Sequence, residues 1–275
     1  MTKPPGRKGG FVIHLKLFHW CLTIPPFHVR GYGESDKPHE IEAYTMKNMA
    51  ADVIGIVKSL GYNKAITIGH DWGGPIALNT AALYPEIVTA TGTLSVPYMS
   101  RGPKPTLDLW KEIYKDRFFY QLYFQKEGVA EKEFENDLER ALRLTYTNSD
   151  GRGMAKSIEK SSSGLNPHKG IDSTFLEGME DFKELPEWLT QEDIDYFVSQ
   201  FQISGLRGPL NRYRAQNIDW EELSSLPDQI EQPAFFITGT LAEITPIIKI
   251  DDTPFPVGAI TKTINRLYQK ETGQI

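Results

Sequence analysis

Six consecutive residues, Gly69-His70-Asp71-Trp72-Gly73-Gly74, place a carboxylate between glycines in a setting where it can react. A short apolar run, Ala65 to Ile68, precedes them and reads as a buried strand; a helical pattern from about Pro75 to Tyr84 follows and stops at Pro85. Strand, sharp turn and helix form the context of a nucleophile elbow, which lifts one reactive residue above the edge of a sheet. Glycines are expected at both flanks because the turn is tight and its backbone packs closely against its neighbours. The nearby helix N-terminus favours an anion at the nucleophile position. With Asp71 there, the chemistry is attack on saturated, strained or halogenated carbon, giving an alkyl ester. A Gly-rich turn in which Asp71 is only a helix cap is the plainer alternative.

The elements that must carry this turn follow from periodicity. Thr45 is expected to cap a helix whose apolar face is Met49, Val53, Ile56, Val57 and Leu60, closed by Gly61. After the helix at 75–84, residues 89–96 form another β-rich run, and Pro233 to Thr238 a further apolar strand. A possible strand lies at 11–18. Alternating helices and strands imply a mostly parallel sheet with right-handed crossovers and helices on both faces. Between the two α/β stretches, helical patterns dominate at 107–125, 131–145 and 191–204, the last after the start signal Thr190-Gln191-Glu192-Asp193. The expected organisation is a divergent segment at 1–30, a core at 31–97 and 229–275 that diverges from about 242, and an inserted helical lid at 98–228.

Longer stretches around the elbow carry a family resemblance. Gly31-Tyr32-Gly33-Glu34-Ser35-Asp36-Lys37-Pro38, the elbow itself and Leu94-Ser95-Val96-Pro97 resemble the α/β-hydrolase-fold epoxide hydrolases. So do Phe119-Tyr120-Gln121-Leu122-Tyr123-Phe124-Gln125 with Gly128-Val129-Ala130-Glu131, and the run Ser204 to Arg214 that contains Arg207-Gly208-Pro209-Leu210-Asn211-Arg212-Tyr213-Arg214. The resemblance covers about residues 29–241. It implies the α/β-hydrolase fold and opening of an epoxide to a vicinal diol through an ester on Asp71. It also implies that Tyr120 and Tyr213 donate hydrogen bonds to the epoxide oxygen, and that the Trp72 backbone N–H serves in an oxyanion hole. The implied partners are a small apolar epoxide and water, with no cofactor and no metal.

The pattern breaks at both ends. The family's water-activating histidine lies near the C-terminus and is oriented by an acid after a late strand, whereas the histidines here are His14, His19, His28, His39, His70 and His168. After Phe235 to Leu241 the family has an aspartate; here Ala242 stands, with Glu243 adjacent as a weak acid candidate and Asp251 and Asp252 further on. His28 or His168 would have to serve as a replacement base. No His-Gly pair supplies the second oxyanion donor in residues 1–30. The expectation is therefore an incomplete catalytic triad, inactive or limited to one turnover, in a product truncated, mis-spliced or frame-shifted at its ends. The alternatives are a haloalkane dehalogenase-like hydrolase, whose lid normally holds halide through tryptophan or asparagine, and a non-catalytic binding protein. Other residues read as structural: His70 beside the nucleophile, Trp72 at a pocket floor, Asp36 and Lys37 in their loop, and Glu131 to Arg143 as a solvated helix face.

Composition is consistent with this reading. A chain of 275 residues suits one domain with an insertion, and 24% charged residues is ordinary for a globular protein. The net charge of -6 argues against a nucleic-acid surface. One cysteine, Cys21, cannot form an internal disulfide, so a reducing compartment is expected. The apolar run from Phe11 to Ile24 contains His14, Lys16 and His19 and is too short and polar to span a bilayer. A cytoplasmic location is expected.

Overall fold

A computed structural model describes residues 28–149, 153, 169–237, 249–250 and 253–254. The expected strand at 11–18, Cys21 and the residues His168, Glu243, Asp251 and Asp252 lie outside the described residues. Two compact units divide the chain: Glu42–Leu109 with Ala215–Ile275, here the sheet unit, and Met1–Ile41 with Trp110–Arg214, here the helical unit. The division falls inside the 98–228 block expected as a lid.

In the sheet unit, a short 3-10 helix (Ile41–Tyr44) leads into α1 (Met46–Ser59), β1 (Ala65–His70), α2 (Gly73–Leu83) and β2 (Val88–Leu94). The later strand β3 (Ala234–Ile237) completes a parallel sheet in the order β1-β2-β3. Residues 249–250 and 253–254 form a separate antiparallel pair, β4 and β5. Helix α2 covers the sheet face that carries Thr67 and Thr91. Thr67 Oγ1 donates to the Ala77 carbonyl at 3.1 Å and lies 3.0 Å from Thr91 Oγ1, so these buried hydroxyls are satisfied. Ile54, Ala81 and Val88 form a buried apolar cluster between the helices and the sheet, with Tyr84 and Ile87 packed against it.

Thr45 does stand at the N-cap of α1, but its side chain makes no capping bond. The cap comes instead from Asp219, whose Oδ1 accepts from the Met46 N–H at 2.6 Å. A distant carboxylate satisfies the helix end, which local sequence could not reveal. The other end follows expectation: Gly61 adopts φ +78°, and its N–H donates to the Lys58 carbonyl.

The helical unit contains α4 (Tyr120–Tyr123), α5 (Val129–Glu135), α6 (Leu138–Asn148), α7 (Gln191–Ser204) and α8 (Arg207–Arg214), while α3 (Thr106–Ile113) crosses into it from the sheet unit and α9 (Gln216–Glu222) belongs to the latter. Two expected helices are each divided. The run at 107–125 breaks after Ile113 because Arg117 bridges to Gly170 and the Phe118 N–H donates to the Lys169 carbonyl at 2.8 Å. The run at 131–145 restarts at Asp137, whose carboxylate caps the Arg140 N–H at 3.1 Å. Helix α7 begins as expected, with Thr190 and Asp193 forming a reciprocal capping box.

Residues 98–102 and 216–227 pin to each other within the sheet unit. Trp220 Nε1 donates to the Gly102 carbonyl, the Arg101 guanidinium lies 3.4 Å from the Trp220 ring centroid, and Tyr98 Oη donates to the Pro227 carbonyl. Burial, with the Asp228 charge added, holds the Tyr98 phenol above its ordinary range, so it stays a neutral donor. Among the described residues, no helix is long and apolar enough to cross a membrane.

Candidate active site

Asp71 sits at the end of β1 with φ 51°, a left-handed conformation rare for a residue with a side chain. Such a backbone costs about 1–3 kcal/mol and persists only where its surroundings enforce it. The Gly74 N–H donates to the Asp71 carbonyl at 2.9 Å, and the Ile76 N–H to the Trp72 carbonyl at 3.2 Å, so α2 starts directly beneath the turn. A Cβ on Gly69 would lie 1.8 Å from the Gly73 carbonyl oxygen, and one on Gly74 would lie 2.2 Å from Thr93 Oγ1. A Cβ on Gly73 would meet nothing within 4 Å among the described residues. The expectation that both flanking glycines are needed for space is thus corrected. Gly69 and Gly74 supply the close approach, and Gly73 contributes its carbonyl to the contact.

The turn distinguishes the two oxygens of the Asp71 carboxylate. The Trp72 N–H donates to Asp71 Oδ1 at 2.7 Å, while Asp71 itself is exposed. Oδ1 is therefore held and polarised by the backbone. His70 is exposed at the strand end, and Trp72 is half-buried.

The two tyrosines meet in the helical unit. The rings of Tyr120 on α4 and Tyr213 on α8 lie 5.9 Å apart at 79°, edge to face. Phe119, Phe124 and Phe175 surround Tyr120 at centroid distances of 5.1, 5.6 and 6.4 Å, and Phe124 also touches Tyr213 at 5.1 Å. Tyr120 Oη accepts a hydrogen bond from Gln121 Nε2 at 3.0 Å. Tyr123, on the same short helix, is different: its hydroxyl donates to Glu133 Oε2 at 2.7 Å. Burial first, then that bond and the charges of Glu133 and Glu131, push the Tyr123 phenol well above its ordinary range. Its proton is spent on structure.

Several residues of this constellation were missed by sequence reasoning, although Gln125, Glu131, Arg212 and Arg214 stand inside the motifs quoted above. Glu131, expected on a solvated face, is buried. Its Oε1 and Oε2 accept from Arg214 Nη1 at 2.7 Å and Nη2 at 3.1 Å, while Arg214 Nε donates to the Phe124 carbonyl at 2.9 Å. The correction has a plain cause: a bidentate arginine partner from α8 makes burial of this carboxylate possible. Gln125 Nε2 donates to the Gln121 carbonyl at 2.7 Å and to the Tyr213 carbonyl at 3.2 Å, linking the backbones that carry both tyrosines. Glu133 accepts from the N–H groups of Phe175 and Leu176 at 3.1 and 2.9 Å, fixing the Phe175 wall. Arg212 is buried next to Tyr213, and burial pushes its guanidinium down to about 9.

The Gly31–Pro38 loop is self-contained. Lys37 Nζ donates to the carbonyls of Gly33 and Ser35 at 2.9 and 2.6 Å, and the Asp36 carbonyl accepts from the Gly31 N–H, in keeping with loop-stabilising roles. His28 Nδ1 accepts from the Glu34 N–H at 3.2 Å, and the Ser35 hydroxyl donates to the His28 carbonyl. His28 is thus built into its own turn. Of the expected site residues, Asp71 and Trp72 lie together in the sheet unit, Tyr120 and Tyr213 lie together in the helical unit, and Glu243 falls outside the described residues.

Comparison with known proteins gives these motifs a context. The family model for the alpha/beta hydrolase fold matches residues 26–252. Epoxide hydrolase A of Mycobacterium tuberculosis is 32% identical over 245 residues, covering 85% of this chain and 74% of that protein. Bifunctional epoxide hydrolase 2 of Sus scrofa is 37% identical over 216 residues, covering 74% of this chain but 37% of the longer relative. Among solved structures, epoxide hydrolase A from Mycobacterium thermoresistibile superposes with a TM-score of 0.68 at 34% identity, over 77% of this chain and 64% of that one. An epoxide hydrolase from an endophytic Streptomyces gives 0.67 at 40% identity, over 77% of this chain and 63% of that one. With the fold, the elbow and these relatives in agreement, the chain belongs to the epoxide hydrolase branch of the alpha/beta hydrolase fold family.

Proposed function

We propose that this chain opens small apolar epoxides by forming an ester on Asp71, and that the ester outlasts its formation. Asp71 Oδ2 attacks a ring carbon, the C–O bond breaks, and the oxygen takes the electron pair together with a proton from Tyr120 or Tyr213. The phenol then regains a proton from water. The observation that carries this reading is the elbow itself, where the Trp72 N–H already holds Oδ1, the oxygen that becomes the ester carbonyl. That same N–H would stabilise the oxyanion formed when water attacks the ester, a contact of the kind worth about 10²–10³ in rate. The aromatic wall of Phe119, Phe124 and Phe175 around the tyrosine pair supports an apolar substrate. The tyrosine pair itself favours an epoxide over a haloalkane, because phenols supply the proton that an alkoxide needs and a halide does not.

Ester hydrolysis needs a base, and in this 275-residue sequence no histidine follows His168. Glu243, Asp251 and Asp252 are carboxylates in the late segment, and none is matched to the family's base. The helical block is read as a lid over the reacting groups and the protein as cytoplasmic, both as parts of the same proposal. Intact-mass spectrometry after incubation with a reactive aryl epoxide tests the reading, with diol followed in parallel. A persistent adduct of one substrate on Asp71, absent in Asp71→Asn, is the expected result. Steady diol without an adduct would show that a replacement base works. Neither product would refute ring opening and leave a binding role.

A further inference from the structure

We propose that Asn211 is a positioning residue for Tyr213, fixing the rotation of α8 and with it the phenol offered to the epoxide oxygen. The inference rests on the ring-opening reading and extends it to a residue that does not itself touch the reacting atoms.

Asn211 is fully buried on α8, two positions before Tyr213 and three before Arg214. Its Nδ2 donates to the His39 carbonyl at 3.1 Å, and its Oδ1 accepts from Arg214 Nη1 at 3.0 Å. A carbonyl can only accept and a guanidinium can only donate, so these two partners fix which way the amide faces. Arg214 carries the connection onward, through Nε to the Phe124 carbonyl and through Nη1 and Nη2 to the Glu131 carboxylate. One buried chain of bonds therefore runs from His39 through α8 to the end of α4 and the first turn of α5.

Residues three apart lie on one face of a helix. Asn211 and Arg214 share such a face, and Tyr213 projects from another. A helix of eight residues held at both of these positions is not free to turn about its axis. Side-chain tips stand about 5–6 Å from a helix axis, so a turn of about 10° would carry the phenol by about 1 Å. A misplacement of about 1 Å can cost about 10² in rate. The clamp on α8 thus decides whether Tyr213 meets the reacting oxygen.

Arg207 provides the control. Its Nε donates to the same His39 carbonyl at 3.0 Å, and its Nη2 pairs with Glu127 at 2.7 Å. It anchors the loop through Glu127 and not through Arg214, which separates anchoring of the loop from the clamp on α8.

The experiment measures the single-turnover rate constant for consumption of a reactive aryl epoxide by the full chain, over a range of epoxide concentrations. A rate constant, unlike an amplitude, does not depend on how much of a variant is folded. Asn211→Asp keeps an acceptor for Arg214 but sets a second acceptor against the His39 carbonyl; Asn211→Leu removes both bonds. These are compared with R207M, Y213F, Y120F and the doubles N211D/Y213F and N211D/Y120F.

N211D should lower the saturating rate constant about tenfold, as misplacement of a reacting group does. The half-saturating concentration should change less than about twofold, because the lost interaction belongs to the transition state. On the Y213F background N211D should cost nothing further, whereas on the Y120F background it should cost its full factor. R207M should stay within about twofold of the wild type, as a partly exposed ion pair allows. N211L carries the test if N211D fails to fold. A folded N211D that reacts like the wild type overturns the inference, as does an equal loss in R207M or a loss that persists on the Y213F background. So does a Y213F that reacts like the wild type, or a loss confined to amplitude, which would make Asn211 a structural residue only. A wild-type chain that forms neither ester nor diol overturns the ring-opening reading and the inference with it.

Discussion

The elbow and the tyrosine pair hold their groups by opposite means. Asp71 is placed by backbone: a left-handed turn, a Gly73 carbonyl that leaves no room for a Cβ on Gly69, and one N–H on Oδ1, all within six consecutive residues. Tyr120 and Tyr213 are placed by side chains from separate elements, through the Arg214–Glu131 pair, the Gln125 link and the Phe175 wall. Gln125 alone spans 88 positions to reach the Tyr213 carbonyl. A site placed by backbone is sensitive to single atoms of added volume. A site placed by side chains is sensitive to loss of one polar partner.

That contrast can be broken experimentally, most severely at the buried ion pair. Arg214 and Glu131 side chains are 2% and 11% exposed, so Glu131→Ala leaves a charge uncompensated. It should cost about 3–5 kcal/mol, read from denaturant melts. Replacing both partners together, Glu131→Leu with Arg214→Met, should recover most of that loss. If the double is as unstable as the single, the pair is more than a removable cross-brace.

A smaller effect is expected at the elbow, with a sharper discrimination. Gly69→Ala drives a methyl into the Gly73 carbonyl and should cost about 1–3 kcal/mol, as overpacking does, and abolish the Asp71 adduct. Gly73→Ala, where a Cβ has room among the described residues, should stay within about 0.5 kcal/mol of wild type and keep the adduct. Equal losses at both glycines would show that the turn needs glycine for conformation and not for contact.

The smallest effect is a pH limb in the helical unit. Burial alone would raise the Glu133 carboxyl, but hydrogen bonds from Thr174, Leu176, Tyr123 and Phe175 outweigh it and hold it below the usual glutamate range. A depressed carboxylate stabilises the fold fully above its free value of about 4.3, and the contribution is lost as pH falls through the lower folded value. The amides of Phe175 and Leu176 should therefore exchange faster as pH drops through that window, relative to the amides of α4 and α5. Glu133→Gln should lack this acid limb. An unchanged limb in Glu133→Gln would assign it to another carboxylate.

Much of the sheet unit was legible locally. The strand before Gly69, the helix after it and the stop at Gly61 are all written in neighbouring residues, and the structure places them within a few positions of expectation. The same holds for Thr190 and Asp193 at the start of α7. What failed was what depends on distant partners. Thr45 lost its cap to Asp219, the run at 107–125 was divided by pairing with residues 169–170, and Glu131 was drawn inward by Arg214. Each failure has one cause: a hydrogen-bonding group satisfied from far along the chain outweighs a weak local preference.

The sequence by itself named the candidate groups: an aspartate in an elbow motif, two tyrosines in family motifs, and six histidines of which the last is His168. Those follow from residue type and short spacing, which survive without knowledge of the fold. Only the tertiary structure decided which Asp71 oxygen is held, which tyrosine of α4 gives its proton to a carboxylate, and which glycine is there for space. Such choices depend on directions and distances of a few tenths of an ångström, and a hydrogen bond or a van der Waals contact has no counterpart in the order of the letters.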